Sequence, residues 1–333
     1  MFGLFKTRAK PAPEVAPQER ADVLLQRLEW TVLRRLDGVL QGDHRTLMRG
    51  NGLDLADLRE YQHHDDVRHM DWNVTARLQQ PHVRVFTEDR EMAAWFLLDL
   101  SPSVDFGSGA QRKSDVLRGF VGVLARLIGR HGNRVGAMLW GAGGNAVMPA
   151  RGGRDQVLQL LHRIGLVQPD GREDSGVTQL ADLLRAAHHT IRQRSTVFVV
   201  SDFISEPGWE KPLGELAMRH DVVAVRLLDP LELALPDMGL LTVRDAETGE
   251  QLLVDTHDTG FRQRYAHIAA QREAQLRESL GRAGVDTLEL ATDDDLFAAV
   301  MRFVELRGHR ARARVGGKRQ LPAHMAPTAG RTA

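Results

Sequence analysis

The chain has 333 residues, of which 42% are apolar and 26% charged, as is ordinary for a soluble globular protein. It contains no cysteine, which excludes disulfide bonds, thiolate zinc sites and thiol nucleophiles. Its 44 basic and 44 acidic side chains cancel, so no global charge favours nucleic acid or an anionic membrane.

The amino-terminal part divides into two regions. Residues 1–19 are rich in proline and alanine without periodicity, which predicts a flexible lead whose apolar patch is too short for a signal peptide. Residues 20–91 predict a short helix from Ala21, followed by a charged module of turns and short strands. The longest charge-free stretch, between Arg134 and Arg151, is too short and too rich in glycine to span a bilayer, so we expect a cytoplasmic protein without a transmembrane segment.

Between residues 92 and 306, predicted strands alternate with predicted helices. Short apolar, β-branched runs predict strands at 93–98, 135–140, 196–200, 222–227 and 287–290, and a hairpin at 240–255 with its turn at 247–249. Helical spacing of apolar residues predicts helices at 115–130, 155–164, 179–192, 209–219, 261–280 and 293–304. This alternation predicts an α/β domain, a doubly wound and mostly parallel sheet covered on both faces. Residues 307–333 carry basic but no acidic side chains and predict a disordered tail.

Oxygen-bearing side chains stand where two of these strands end. Asp99, Ser101 and Ser103 follow the first strand at alternate positions, Asp202 follows the strand at 196–200, and Thr178 precedes a helix. Ligands of such sheets bind beyond the carboxyl ends of the strands. Two carboxylates and three hydroxyls, without imidazole or thiolate, predict a site for Mg²⁺ or Mn²⁺.

These five residues resemble the metal-ion-dependent adhesion site of von Willebrand factor A domains. The resemblance implies a von Willebrand factor A-like, Rossmann-type fold. It also implies that the serines and the threonine ligate the ion directly, that the aspartates act directly or through water, and that an Asp or Glu of a partner protein fills the vacant position. The alternative is a purely structural role, in which Asp99, Ser101 and Ser103 only close a turn or cap the next helix.

The upstream charged segment resembles the signature of the domain-of-unknown-function family 58 (DUF58). Its matching elements are Arg59-Glu60-Tyr61, Asp65-Asp66-x-Arg68, Asp71-Trp72, Ala76-Arg77 and Glu88-Asp89-Arg90-Glu91. Members of this family carry a von Willebrand factor A-like domain and are commonly encoded beside a MoxR-type AAA+ ATPase, which implies that kind of partner. The signature residues themselves read as a structural ion-pair network, or else as a binding surface.

Histidine pairs invite a zinc hypothesis at two places. His63-His64 stand beside Asp65-Asp66, but neighbouring side chains of an extended chain point to opposite faces. His188-His189 lie on a predicted helix, where neighbours are separated by about 100°. Neither pair has a further pair of ligands nearby in the sequence, so zinc is the weaker hypothesis at both.

Three classes of function are compatible with these features. The favoured one is a non-catalytic, metal-dependent protein-binding adaptor with a chaperone-like role, working with a MoxR-type ATPase in the assembly or maturation of protein complexes. The second is a metal-dependent hydrolase in which the same ion activates water, although no general base is placed at a strand end. The third is a nucleic-acid binder acting through the basic tail.

Overall fold

Apolar strands and amphipathic helices alternate along the chain as the sequence predicts. The structure, a computed structural model, describes residues 23–26, 28, 58–62, 70–84, 93–130, 132–141, 144–166, 179–244, 251–315 and 324–325. The strands are β1 (Leu58–Glu60), β2 (His82–Arg84), β3 (Ala93–Leu100), β4 (Arg134–Gly141), β5 (Ala146–Arg151), β6 (Thr196–Ser201), β7 (Asp221–Leu228), β8 (Leu240–Arg244), β9 (Gln251–Asp255), β10 (Asp286–Ala291) and β11 (His324–Met325). The helices are α1 (Trp72–Leu78), α2 (Lys113–Arg130), α3 (Arg154–Leu166), α4 (Leu180–Thr190), α5 (Glu210–Arg219), α6 (Pro230–Leu233), α7 (Thr259–Ala283) and α8 (Leu296–Val315).

The central sheet has seven strands in the order β11-β10-β7-β6-β3-β4-β5. All neighbouring strands pair in parallel except β4 and β5. The chain first moves from β3 outward through β4 and β5, then returns to β6 on the other side of β3 and continues through β7 and β10. The order therefore reverses between β3 and β6, which is where doubly wound sheets bind their ligands. The predicted fold class is confirmed.

The sheet is buried on both faces, which explains why its strands read as continuous apolar runs. All eight residues of β3 are buried. On one face, Phe96, Phe198 and Phe303 pack together under α2, α3 and α8, with ring centroids 5.1 and 5.6 Å apart. On the other face, Leu97 and Val199 pack under α4, α5 and α7. The strand ends are thus held by a rigid core.

The amino-terminal module contacts this core and carries its own small sheet. Residues 23–26 and 28 are helical, as predicted, and Leu25 and Leu28 are buried in the same cluster as α2. Strands β1 and β2 pair antiparallel, and the Asp71 carboxylate caps α1 by accepting from the amides of Asn73 and Val74 at 3.0 and 3.1 Å. Half of the family-signature residues, from Asp65 to Arg68 and from Glu88 to Glu91, lie outside the described residues, and so do His63-His64.

Several elements differ from the sequence-based prediction, including α6, which was not predicted. Strand β5 was not predicted; it contains Pro149, which it tolerates because it is an antiparallel edge strand. Helix α1 was missed because its segment has little apolar period. Helix α8 continues past the predicted boundary at residue 306, and β11 pairs with β10, so part of the segment 307–333 has regular structure instead of disorder.

The predicted hairpin at 240–255 is present, with Leu240 opposite Asp255, while residues 247–249, the predicted turn, lie outside the described residues. Among the helices of the described segments, none combines the length and apolarity needed to cross a membrane.

Candidate functional site

The reversal of strand order places the ends of β3 and β6 side by side. Leu98 pairs with Val200, so Asp99 and Ser201 are the next residues on two neighbouring parallel strands. The Ser201 hydroxyl donates to the Asp99 carboxylate at 2.7 Å, and Asp202 follows directly. The parallel pairing therefore brings together two of the predicted metal ligands, Asp99 and Asp202, which are 103 positions apart in the sequence.

The loop after β3 gathers the other two predicted ligands that the structure describes. The amide of Ser101 donates to the Asp99 carboxylate at 3.0 Å, and the hydroxyls of Ser101 and Ser103 lie 2.9 Å apart. All three side chains are buried. The loop turns through a short 3₁₀ segment, Pro102–Asp105, which points alternate oxygens to the same place. Asp99 thus closes a turn, as the structural alternative predicts, and it also lies in a cluster of oxygen atoms with Ser101 and Ser103.

Asp202 is held on both carboxylate oxygens. Oδ1 accepts the amide of Ile204 at 3.0 Å, and Oδ2 accepts Nζ of Lys113 at 2.8 Å. Between them, Phe203 has a φ of 58°, in the left-handed region that a non-glycine residue seldom adopts. Packing of its ring against Trp209, at 5.3 Å between centroids, holds this conformation. Strained backbone of this kind is concentrated at functional sites.

Lys113 is a member of the cluster that sequence reasoning missed. It begins α2, its side chain is 1% exposed, and its ammonium also lies 2.7 Å from Oε1 of Glu232. Burial by itself lowers the pKa of Lys113, but the carboxylates of Asp202 and Glu232 together raise it above the ordinary value. A signal was present, because Lys113 precedes Val116 and Leu117 by three and four positions and so lies on the apolar stripe of α2.

Glu232 is positioned by the end of the next strand. Asp229 follows β7 and caps α6 in a capping box with Glu232. The Asp229 carboxylate also accepts from Ser108 at 2.6 Å and from Thr292 at 2.7 Å, which ties the loop before α2 to the ends of β7 and β10. Burial raises the pKa of Asp229, but these hydrogen bonds outweigh it and lower the pKa below its usual value.

Asp99 differs from Asp202 because no cationic side chain of the described residues is paired with it. Among the described residues Asp99 forms no ion pair, although it is only 4% exposed. Burial raises the pKa of Asp99 to about 6, with a further contribution from the nearby charge of Asp202, while hydrogen bonds from Ser201 and Ser101 oppose the rise. A buried carboxylate destabilised in this way, with hydroxyl oxygens beside it, fits the ligand chemistry of a hard divalent cation.

Thr178, the fifth predicted ligand, lies outside the described residues. Within the described part of the chain, no group of three or more His, Asp or Glu side chains has the geometry to hold a metal ion. The candidate site depends instead on two carboxylates and on hydroxyls. His188 and His189 pack edge to face at 5.8 Å and belong to no such group, so the zinc hypothesis gains no support there.

A small cavity of about 20 Å³ lies against Ser101. Its lining includes Val104, Asp105 and Arg118. Asp105 is engaged by Arg112 at 2.6 Å and by Ser114 at 2.9 Å, while Nε of Arg118 has no hydrogen-bond partner among the described residues. The volume suffices for a water-sized group, so the serine side of the cluster has room for one further small group.

Comparison with known proteins places the chain in context. The family model described as "Protein of unknown function DUF58" matches residues 57–275. An uncharacterized protein of Mycobacterium tuberculosis and one of Mycobacterium bovis are each 37% identical over 290 residues, which cover 87% of this chain and 90% of the relative.

Two solved structures are also similar. An aerotolerance-related membrane protein from Bacteroides fragilis matches 66% of this chain and 99% of its own, at 13% identity and a TM-score of 0.43. The conserved hypothetical protein BatB from Bacteroides thetaiotaomicron matches the same shares at 13% identity and a TM-score of 0.42.

Proposed function

The chain belongs to the DUF58 family, and we propose that it is a non-catalytic protein-binding adaptor whose binding to its partner depends on a divalent metal ion. One observation carries this proposal. At the point where the strand order reverses, Asp99, Ser101 and Ser103 form a buried cluster of oxygen ligands in which the Asp99 carboxylate lacks a counter-ion among the described residues. Mg²⁺ or Mn²⁺ suits those ligands.

Each residue has a defined part in the proposed site. Asp99, Ser101 and Ser103 would hold the ion together with Thr178, and Asp202 would act through a water because its carboxylate is already paired with the ammonium of Lys113. When bound, the ion supplies a concentrated positive charge that attracts an anionic ligand. Ser201 orients Asp99, and the core under β3 and β6 keeps the ligands in register.

The partner group that fits this site is a carboxylate. A divalent ion attracts an Asp or Glu side chain, and the guanidinium of Arg118 lines the cavity beside Ser101 with an unpartnered Nε among the described residues. An entering carboxylate oxygen would satisfy such a donor, whose burial without a partner is costly. The ion and the guanidinium of Arg118 would therefore both favour an acidic side chain of the partner.

We propose further that the partner is a MoxR-type AAA+ ATPase, or a client that such an ATPase remodels, in a chaperone-like role in the assembly or maturation of protein complexes. The family resemblance supports this part. An ATPase partner needs ATP, so the proposed location is the cytoplasm.

The test is binding of the purified full-length chain to a MoxR-type ATPase from the same genome, measured by calorimetry in Mg²⁺ and in EDTA. We expect wild type to bind in Mg²⁺, and we expect EDTA or Asp99→Ala to weaken binding at least about tenfold, since the ion bridges the partners. Asp182→Ala, which removes an exposed carboxylate of α4, is the matched control and should bind as wild type does.

Circular dichroism establishes that each variant is folded. Equal binding by wild type in EDTA and by folded Asp99→Ala would overturn the metal-dependent mechanism. Metal-dependent turnover of phosphoester or peptide substrates, lost in Asp99→Ala, would instead support the hydrolase alternative.

A further inference from the structure

Lys113 places a buried positive charge beside the carboxylates of Asp202 and Glu232, which together with Asp99 form the carboxylate cluster. Its ammonium contacts Asp202 at 2.8 Å and Glu232 at 2.7 Å, and its side chain is almost completely buried. Removing an ammonium from water is costly unless well-placed carboxylates and hydrogen bonds compensate it. Here the contacts with Asp202 and Glu232 provide that compensation.

The helix does not explain why a lysine is found at this position. Lys113 is the first residue of α2, where the positive end of the helix dipole disfavours a cation. Its neighbours on the same stripe, Val116 and Leu117, are apolar and buried in the core. The ammonium is therefore held there by the carboxylates of Asp202 and Glu232, and not by any preference of α2.

Among the described side chains, the charges of the cluster do not balance. Asp99, Asp202 and Glu232 are three buried or half-buried carboxylates, while Lys113 supplies one positive charge to Asp202 and Glu232 and forms no ion pair with Asp99. Burial raises the pKa of Glu232 as well, so its negative charge is also destabilised. The cluster accordingly attracts more positive charge than one ammonium provides, and any added cation shares Asp202 with Lys113.

We propose that Lys113 is a resident cation that holds Asp202 away from the metal and thereby limits the affinity of the site for divalent ions. This inference rests on the proposed function and adds a control to it. With Asp202 held by the ammonium, the ion keeps fewer protein carboxylates, and it binds firmly only when the partner supplies another. Metal binding and partner binding are then coupled through Lys113.

The experiment measures Mn²⁺ binding to the metal-stripped full-length chain by electron paramagnetic resonance, without any partner. We expect Lys113→Met to bind Mn²⁺ at least about tenfold more tightly than wild type, because a positive charge next to Asp202 is gone and Asp202 becomes free to ligate. Lys211→Met, which removes an exposed lysine of α5, is the matched control and should leave the affinity as in wild type.

A second variant guards against misfolding. Lys113→Met leaves two buried carboxylates uncompensated, whereas Lys113→Met/Glu232→Gln removes one carboxylate together with the ammonium and keeps the size of both side chains. The double variant should also bind Mn²⁺ at least about tenfold more tightly than wild type. Circular dichroism in EDTA establishes the fold of each protein.

The outcomes separate this inference from the function on which it rests. Wild-type affinity in the folded variants would overturn the role of Lys113 and leave the metal-dependent adaptor standing. Binding by the variants alone would support the role of Lys113, because the wild-type chain is expected to bind the ion firmly only with its partner. Calorimetry with the ATPase in Mg²⁺ and in EDTA then decides whether the wild-type interaction depends on metal. Binding by none of the proteins would overturn the role of Lys113, and the same calorimetry would decide the adaptor function separately.

Discussion

His220 predicts a specific dependence of stability on pH. It follows α5 as the C-cap, is 4% exposed, and lies near three basic groups, the adjacent Arg219 together with His188 and Arg194. The pKa of His220 is lowered from an ordinary 6.5 to about 4, chiefly by burial and in addition by the three basic groups, while a backbone hydrogen bond with Ile191 opposes them.

The sign and size follow from linkage. Because the pKa of His220 is lower in the folded chain than in the unfolded one, its contribution to stability is complete above about pH 6.5 and is lost as the pH falls to about 4. The difference between the two values corresponds to about 3 kcal/mol of unfolding free energy.

Asp99 acts in the opposite direction over the same range. Its pKa rises from 3.8 to about 6 in the folded chain, so its ionisation destabilises the fold as the pH rises from about 4 to 6. The wild-type curve contains both effects, and His220 is isolated only by comparison with a variant. The variant is His220→Leu, which removes the titrating ring and keeps the site apolar.

The assay is urea unfolding followed by circular dichroism, in EDTA, at a series of pH values from 4 to 8. We expect the unfolding free energy of wild type, measured relative to His220→Leu, to decrease by about 3 kcal/mol between pH 7 and pH 4. His267→Leu, which removes an exposed histidine of α7, controls for the loss of any histidine. A difference between wild type and His220→Leu that stays constant across this range would refute the reasoning.

Two further predictions concern the site and the core. Asp99→Asn should raise the unfolding free energy at pH 8 in EDTA by about 1–3 kcal/mol, because it removes a buried charge without a counter-ion among the described residues. It should also abolish any stabilisation by added Mg²⁺ in thermal unfolding. A loss of stability in EDTA would contradict this account of the carboxylate. Phe198→Ala should cost about 3–5 kcal/mol in urea unfolding, since the ring is fully buried between Phe96 and Phe303, and a cost below about 1 kcal/mol would contradict the packing described for this face.

The alternation of strands and helices was predictable from the sequence alone. Strands such as β3 and β6 are buried on both faces, so they appear as unbroken apolar runs, and helices such as α2 show an apolar stripe because one face packs on the sheet. The oxygen-bearing side chains at the end of β3 were recognisable for a related reason, because polar residues directly after a buried strand stand out. Local patterns of this kind need no knowledge of distant contacts.

The tertiary structure alone decided which residues meet. Lys113 lies 89 positions from Asp202 and 119 from Glu232, and only the order of β3, β6 and β7 brings their side chains together. The lysine of α2 carried a weak local signal, but nothing near it in the sequence identifies its carboxylate partners. The same holds for β5, whose edge position makes its proline acceptable. Pairing between strands is a long-range interaction, so the charge balance of the site depends on the topology of the sheet and not on any single segment.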